Sequence, residues 1–497
     1  MFANVSSSGP NPDSPPRTPL KRVADLPGPL AWPVVGNFAQ FEIPRLHAQL
    51  EGWAEQYGPL YRLKFGFRDV LVVARPDLIT RILRDRPQGW RRLRSMQTVI
   101  REMGAHGLFS AEGEDWMRQR RLVMAAFDPG HLKNFFPSLL RATERLKGVL
   151  REAVLAHRWI DVQPVLMRYT VDVITGLAFG VDMNTQEDPD HELQAHLHEI
   201  FPMLMRRVNA PFPLWRYLKL PSDRRFDQHL TAVHVAVRSF IQSARERMSH
   251  NPHLQVNPTN LLEGMLAACD DQGGHLTEEE LIGNVLTLLL AGEDTTANTL
   301  SWTLYLLHAN PEAWQEVVRE VDAFLGTDDM PRTFAVTRDL DAIERCLSES
   351  MRLRPVAPLI FLENNQETVI EGVKLPESSF VICVMRSGSL GVRATADACD
   401  FRPSRWCQDS PEEGDHRTEN ANHSLLKASM PFGAGPRMCP GRYLSLLEMK
   451  MVLSMLARNF ELVDVSSPAG SPPQERMEFT MHPVGLRLKL GMREVKA

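Results

Sequence analysis

One ten-residue stretch constrains this chain more than any other. It reads Phe432-Gly433-Ala434-Gly435-Pro436-Arg437-Met438-Cys439-Pro440-Gly441 and runs straight into a helix expected over Arg442–Asn459. Its three glycines allow positive φ and let the backbone approach a flat ligand closely. Cys439 stands just before a helix N-terminus, where the dipole and free N–H groups stabilise a thiolate. Arg437, two residues earlier, is placed to neutralise an anionic group on that ligand. Two glycines and a cysteine alone would be an ordinary turn with an incidental thiol. Ten consecutive positions that make chemical sense together are not.

A second constraint is a helix expected over Glu278–Ala309. Thr277 and Glu280 form a capping-box start, and Asn310-Pro311 opens the next helix. At 1.5 Å per residue it extends roughly 48 Å, enough to cross a whole domain. Its middle is apolar on nearly every side, as a helix buried in the core must be. The run is broken by Ala291-Gly292-Glu293-Asp294-Thr295-Thr296. Glycine, acid and hydroxyl in a buried mid-helix position cost stability. A bend with a wet polar face explains this less well than a function does, because the helix is strongly apolar just before it.

Two further clusters are weaker in isolation. Glu349 and Arg352 share one face of a helix expected over Asp341–Leu353, with Phe401-Arg402-Pro403-Ser404-Arg405-Trp406 downstream. Trp116 and Arg120, four apart, share a face of an earlier helix, while Arg118 and Arg121 point elsewhere as candidates for an electron-partner surface.

The rest of the chain bounds the setting. Residues 1–25 are polar and proline-rich and read as disordered, with no signal-peptide core. A Pro/Gly-rich segment follows over 26–36, then strands at Leu60–Phe65 and 70–74 around a turn at 66–69. Residues 77–355 are mostly helical, and short strands and loops follow until the last helix. The fold class is mainly α (α+β), with one large domain over 26–497 and a small β-rich part. A net charge of -5 points away from nucleic acid as a partner. Six cysteines without Cys-x-x-Cys spacing suit a reducing compartment, and no apolar run reaches the ~18 residues that span a bilayer. The protein reads as cytoplasmic and unanchored.

The loop at 432–441 resembles the haem-binding segment of the cytochrome P-450 family, Phe-x-x-Gly-x-Arg-x-Cys-x-Gly, with every fixed position filled. The segment 291–296 resembles the family's oxygen-activation motif, Glu349–Arg352 its Glu-x-x-Arg, 403–406 its Pro-x-Arg-Phe, and Trp116–Arg120 its Trp-x-x-x-Arg. The resemblance covers about residues 26–490 and is of the soluble, bacterial type. It implies a prism-like fold with haem b between the long and last helices and Cys439 as the iron ligand. Arg437, Trp116 and Arg120 would contact propionates, and Phe432 and Gly433 would pack beside the thiolate. Asp294 and Thr295 would relay protons in oxygen activation, with Ala291 and Gly292 leaving room. Glu349, Arg352 and Arg405 would form an ionic core holding the cysteine loop.

Departures also stand out. Trp406 replaces a usual phenylalanine. Met385-Arg386-Ser387-Gly388-Ser389 stands where a His-Arg-Asp-like turn is common. Leu362-Glu363 falls where many relatives place a propionate-binding arginine.

By this resemblance the protein is a monooxygenase with O2 as co-substrate. Its electrons derive indirectly from NAD(P)H through a separate ferredoxin or flavodoxin and its reductase, since fewer than 60 residues follow Cys439. A peroxide-driven peroxygenase, a haem-thiolate isomerase or dehydratase, or a non-enzymatic haem gas sensor would share the loop but not need the Asp294–Thr295 pair. Residues 96–109, 200–220 and 357–359 are expected to line the cavity, Phe109, Ala291, Ala357, Pro358 and Leu359 among them. Their apolar character favours a lipophilic substrate.

Overall fold

Apolar stripes at helical spacing dominate the chain, and 57% of the described residues are helical in the computed structural model. The structure describes residues 19–127, 129–188, 191–210, 212–269, 273–390, 397–407, 426–468 and 472–494. The first helices are α1 (Leu46–Tyr57), α2 (Pro76–Arg84), α3 (Arg94–Glu102) and α4 (Gly113–Ala126). Next come α5 (Pro129–Leu155), α6 (Val162–Phe179), α7 (Glu192–Asn209), α8 (Pro221–His250) and α9 (Leu261–Ala267). The long α10 (Glu278–Ala309) leads to α11 (Pro311–Leu325), α12 (Phe334–Arg338) and α13 (Asp341–Leu353), and a last helix spans Arg442–Asn459.

α10 starts where the sequence expects. The Thr277 side chain accepts from the Glu280 N–H at 3.2 Å, and Glu280 accepts from the Thr277 N–H at 2.8 Å. It packs most extensively on α6 and also touches α13, α8 and the last helix, so it is the axis of the main core.

The β part is more elaborate than the sequence suggests. Strands β1 (Lys21–Arg22), β2 (Leu60–Phe65), β3 (Arg68–Val73), β4 (Trp90–Arg92) and β5 (Ile160–Asp161) precede β6 (Leu359–Asn364), β7 (Thr368–Ile370), β8 (Val373–Leu375) and β9 (Phe380–Val384). β10 (Phe460–Ser466), β11 (Glu475–Met477), β12 (Met481–Pro483) and β13 (Arg487–Met492) close the chain. A five-stranded sheet has the order β2-β3-β9-β6-β4, and smaller sheets are β1-β8-β7, β10-β13-β5 and the hairpin β11-β12. β3 begins two residues before the expected strand, because Phe65 pairs with Arg68 across a two-residue turn with Gly66 at positive φ. Of the expected disordered N-terminus, residues 1–18 lie outside the described residues. Residues 19–25 are structured: β1 pairs with β8, and Val23 is buried in a second apolar cluster.

Arg386, in the unusual 385–389 turn, is the hub of a buried ion cluster. It binds Glu51 on α1 at 2.8 and 2.6 Å and Glu475 on β11 at 2.7 and 3.0 Å. Burial opposes the Glu475 charge, but bonds from His47 and Arg386 outweigh it and hold that carboxyl well below the usual range. The cluster clamps the β11–β12 hairpin to α1.

Among the described residues no helix is long and apolar enough to cross a membrane, and all six cysteines are free.

Candidate active site

The cysteine loop is shaped by two glycines at positive φ, Gly433 and Gly435. A Cβ on Gly435 would lie 2.6 Å from the Leu83 carbonyl oxygen and the Arg84 Cα, so α2 presses directly on the loop backbone. The Cys439 N–H donates to the Phe432 carbonyl at 3.0 Å and closes the turn. Arg120 on α4 donates to the Met438 carbonyl at 2.9 Å, next to the cysteine. Cys439 has exposed surface, yet protein surrounds it closely enough that burial pushes its thiol pKa up. A group on the wall of an internal cleft has both properties. The Gly441 N–H and Arg120 pull the other way, as the sequence leads one to expect, but burial wins. The helix terminus alone therefore does not make a thiolate; a cation bound at Sγ would.

Beside the loop lies a cluster of cations that the sequence did not reveal. Arg437 pairs with Glu112, donates to the Ala111 carbonyl at 2.6 Å, and stacks over Trp116 at 4.5 Å. Arg86 sits 3.7 Å from the same Glu112. Arg92 donates to the Phe109 carbonyl at 2.7 Å, and its guanidinium covers the Phe109 ring at 3.7 Å. Burial pulls Arg437 down to about 10, and the charges of Arg86 and Arg120 add to it. Burial, then Arg86 and Arg437, holds Arg92 well below its usual range. Three guanidinium groups thus share one carboxylate. Nε and Nη2 of Arg86 and Nε and Nη1 of Arg437 are buried without a hydrogen-bond partner. Such orphaned donors are costly unless an anion meets them. Arg92 also answers the missing arginine on β6, because β4 pairs Arg92 directly opposite Leu362. Glu363 next to it is buried and taken up by Arg91 at 2.7 Å.

On α10, Ala291 is exposed although its helix runs through the core, so it too borders interior space. The Thr295 hydroxyl donates to the Ala291 carbonyl at 2.8 Å. Gly292 lies against Ile174, where a Cβ would sit 3.1 Å away. Asp294 accepts from Asn298 at 2.7 Å and from the Thr480 hydroxyl. Burial raises its pKa, although Thr480, the charge of His482 and Asn298 pull it back. Glu293 faces away into the core with both carboxylate oxygens unpartnered, and burial, reinforced by Asp294, pushes it up to about 8.

The remaining site residues fall in separate places. Phe109 is delivered by a loop packed backbone to backbone on α10: a Cβ on Gly107 would lie 2.6 Å from Gly283, and the Leu108 N–H donates to Asn284 at 2.8 Å. Its ring lies 6.4 Å from that of Phe479, a partner the sequence did not indicate. Ala357 is exposed beside β12, since the Val356 carbonyl accepts from the Met481 N–H at 2.8 Å. Pro358 is buried, and Leu359 points into the apolar cluster of the large sheet. Glu349, Arg352 and Arg405 come together and fasten 397–406, a segment preceding the cysteine loop. Trp406 donates to Glu349 at 3.0 Å, a bond phenylalanine cannot make. Arg118 is taken up by Glu280 and Asp115, which ties α4 to the start of α10.

A cytochrome P450 family model matches residues 26–490. The chain is 25% identical to cytochrome P450 3A6 of Oryctolagus cuniculus, over 88% of this chain and 85% of that one. It is 26% identical to the mitochondrial 1,25-dihydroxyvitamin D(3) 24-hydroxylase of Mus musculus, over 90% and 85%. It is 25% identical to the chloroplastic protein LUTEIN DEFICIENT 5 of Arabidopsis thaliana, over 88% and 72%. The fold is that of the cytochrome P450DA heme domain, with a TM-score of 0.82 at 24% identity over 96% of this chain and 99% of the other. This chain therefore belongs to the cytochrome P450 family of haem-thiolate monooxygenases, which use haem b, O2 and electrons derived from NAD(P)H.

Proposed function

We propose that this enzyme inserts one oxygen atom of O2 into a lipophilic substrate, chiefly by C–H hydroxylation. The observation that carries this reading is the acid–hydroxyl pair Asp294–Thr295 on α10, a feature that peroxide-driven and non-catalytic haem proteins do not need.

The residues fit haem b. Cys439 would be the axial ligand, with Gly433 and Gly441 free of crowding at the thiol: a Cβ on Gly433 meets nothing within 4 Å, and one on Gly441 meets only Sγ, at 3.9 Å. The orphaned donors of Arg86 and Arg437, with Arg92, supply two more positive charges than Glu112 answers, which suits two propionates. Trp116 stacks beneath Arg437, and Arg120 braces the loop at Met438. When bound, haem supplies the redox chemistry, and a thiolate ligand favours O–O cleavage. The chain's own part is to hold and move protons. Burial eases protonation of the Asp294 carboxyl, which would take up and give a proton, and the Thr295 hydroxyl, now bonded along its own helix, would rotate to pass it on.

Ala291 and the Phe109–Phe479 pair support an apolar substrate. Electrons come from a ferredoxin or flavodoxin with its reductase. Six free cysteines are in keeping with a reducing compartment such as the cytoplasm.

The test begins with a panel of lipophiles screened for a Soret shift, then supplies the best binder with a redox-partner pair, NADPH and 18O2. One labelled oxygen per product molecule is expected. Product formed with hydrogen peroxide but never with O2 and electrons would make the enzyme a peroxygenase instead.

A further inference from the structure

The turn between β11 and β12 reaches Asp294 from outside the oxygen-activation motif. Thr480, in this turn, donates its hydroxyl to Asp294 Oδ2. Asn298 Nδ2 donates to Asp294 Oδ1 at 2.7 Å and to Thr480 Oγ1 at 3.0 Å, and Gln163 on α6 donates to Asn298 Oδ1 at 3.0 Å. Thr480 and Asn298 are buried. Asp294 is therefore turned toward the hairpin, while the Thr295 hydroxyl is committed to Ala291.

Ionisable groups flank Thr480 on both sides. Glu478 is exposed and pairs with Arg476 at 3.2 Å. His482 is half-buried, and burial lowers its pKa although the charges of Glu478 and Asp294 pull it part of the way back. One short hairpin, clamped at Glu475 by the buried Arg386 cluster, thus leads from solvent to the carboxyl on α10.

We infer that Thr480 is a positioning residue that holds the Asp294 carboxyl on the hairpin. The inference rests on Asp294 acting as a proton donor. Phe479, between Glu478 and Thr480, stands against Phe109, so a substrate touching that ring bears directly on the residue that holds the acid.

The experiment uses holoenzyme labelled with 13C-carboxyl aspartate, and Asp294→Asn identifies the Asp294 infrared band. The isosteric Thr480→Val deletes a hydrogen bond that favours the charged carboxyl, so the protonated band should rise in frequency and titrate at higher pH. Thr480→Ser should restore both. An unchanged band in Thr480→Val would show that the hydroxyl does not hold Asp294. Full coupling in Asp294→Asn, with the Thr480→Val band shift still present, would defeat the donor reading while leaving the positioning role in place. A normal haem spectrum in each variant establishes that it is folded.

Discussion

Glu349→Ala and Arg352→Ala are each expected to give almost no folded, haem-loaded protein. Both side chains are fully buried, and Arg352 grips Glu349 with two bonds of 2.8 Å. Arg352 also donates to the carbonyls of Ala398 at 2.7 Å and Asp400 at 3.2 Å. Glu349 accepts in addition from the Arg402 N–H and from Trp406, both at 3.0 Å, and Arg405 lies 3.5 Å away. Removing the acid takes away the buried carboxylate that answers Arg352, while removing Arg352 takes from Glu349 its two shortest bonds and its closest countercharge. Either costs about 3–5 kcal/mol, a large fraction of the 5–15 kcal/mol that holds a typical domain together. Soluble yield and haem content measured against wild type check this. Normal yields from either variant would show that the cluster is dispensable for assembly.

Asp294→Asn is expected to slow O2-dependent turnover by roughly 10²–10⁴, the usual worth of a positioned acid–base group. The amide keeps the bonds to Asn298 and Thr480 within reach but carries no transferable proton. Thr295→Ala removes one hydroxyl that bonds to the Ala291 carbonyl of its own helix, so haem content and substrate affinity should stay near wild type. Its effect falls on coupling: reducing equivalents are still consumed, with more peroxide and less product. Product formed per NAD(P)H oxidised, with a working partner pair, is the measurement. Wild-type rate and coupling in both variants would remove the pair from proton delivery and favour a peroxygenase or sensor. A peroxide-driven assay does not replace it, because peroxide bypasses the step.

What the sequence made legible is what local chemistry specifies. The capping box at Thr277, the break at Asn310-Pro311 and the apolar face of α13 all lie within a few residues of the structure they determine. The cysteine loop was legible for the same reason. The cation cluster was not. Arg86 and Arg92 sit in an arginine-rich stretch that reads as solvated charge, and they become buried only when β4 pairs with β6, some 270 residues later in the chain. Thr480 meets Asp294 across 186 positions, which no periodicity announces. Trp406 looked like a tolerated substitute for phenylalanine until Glu349 was seen to accept its N–H. The Cys439 thiol shows the limit of a local argument, since the helix start lowers its pKa as expected and burial by the rest of the fold raises it more.

The central claim is that Cys439 supplies the thiolate to haem iron, and the spectrum of the reduced carbon monoxide complex tests it most directly. Wild-type protein should show the band diagnostic of thiolate ligation, and Cys439→Ser should lose it while the other five cysteines can each be replaced without loss. If Cys439→Ser kept that band and replacement of another cysteine abolished it, the axial assignment would be wrong.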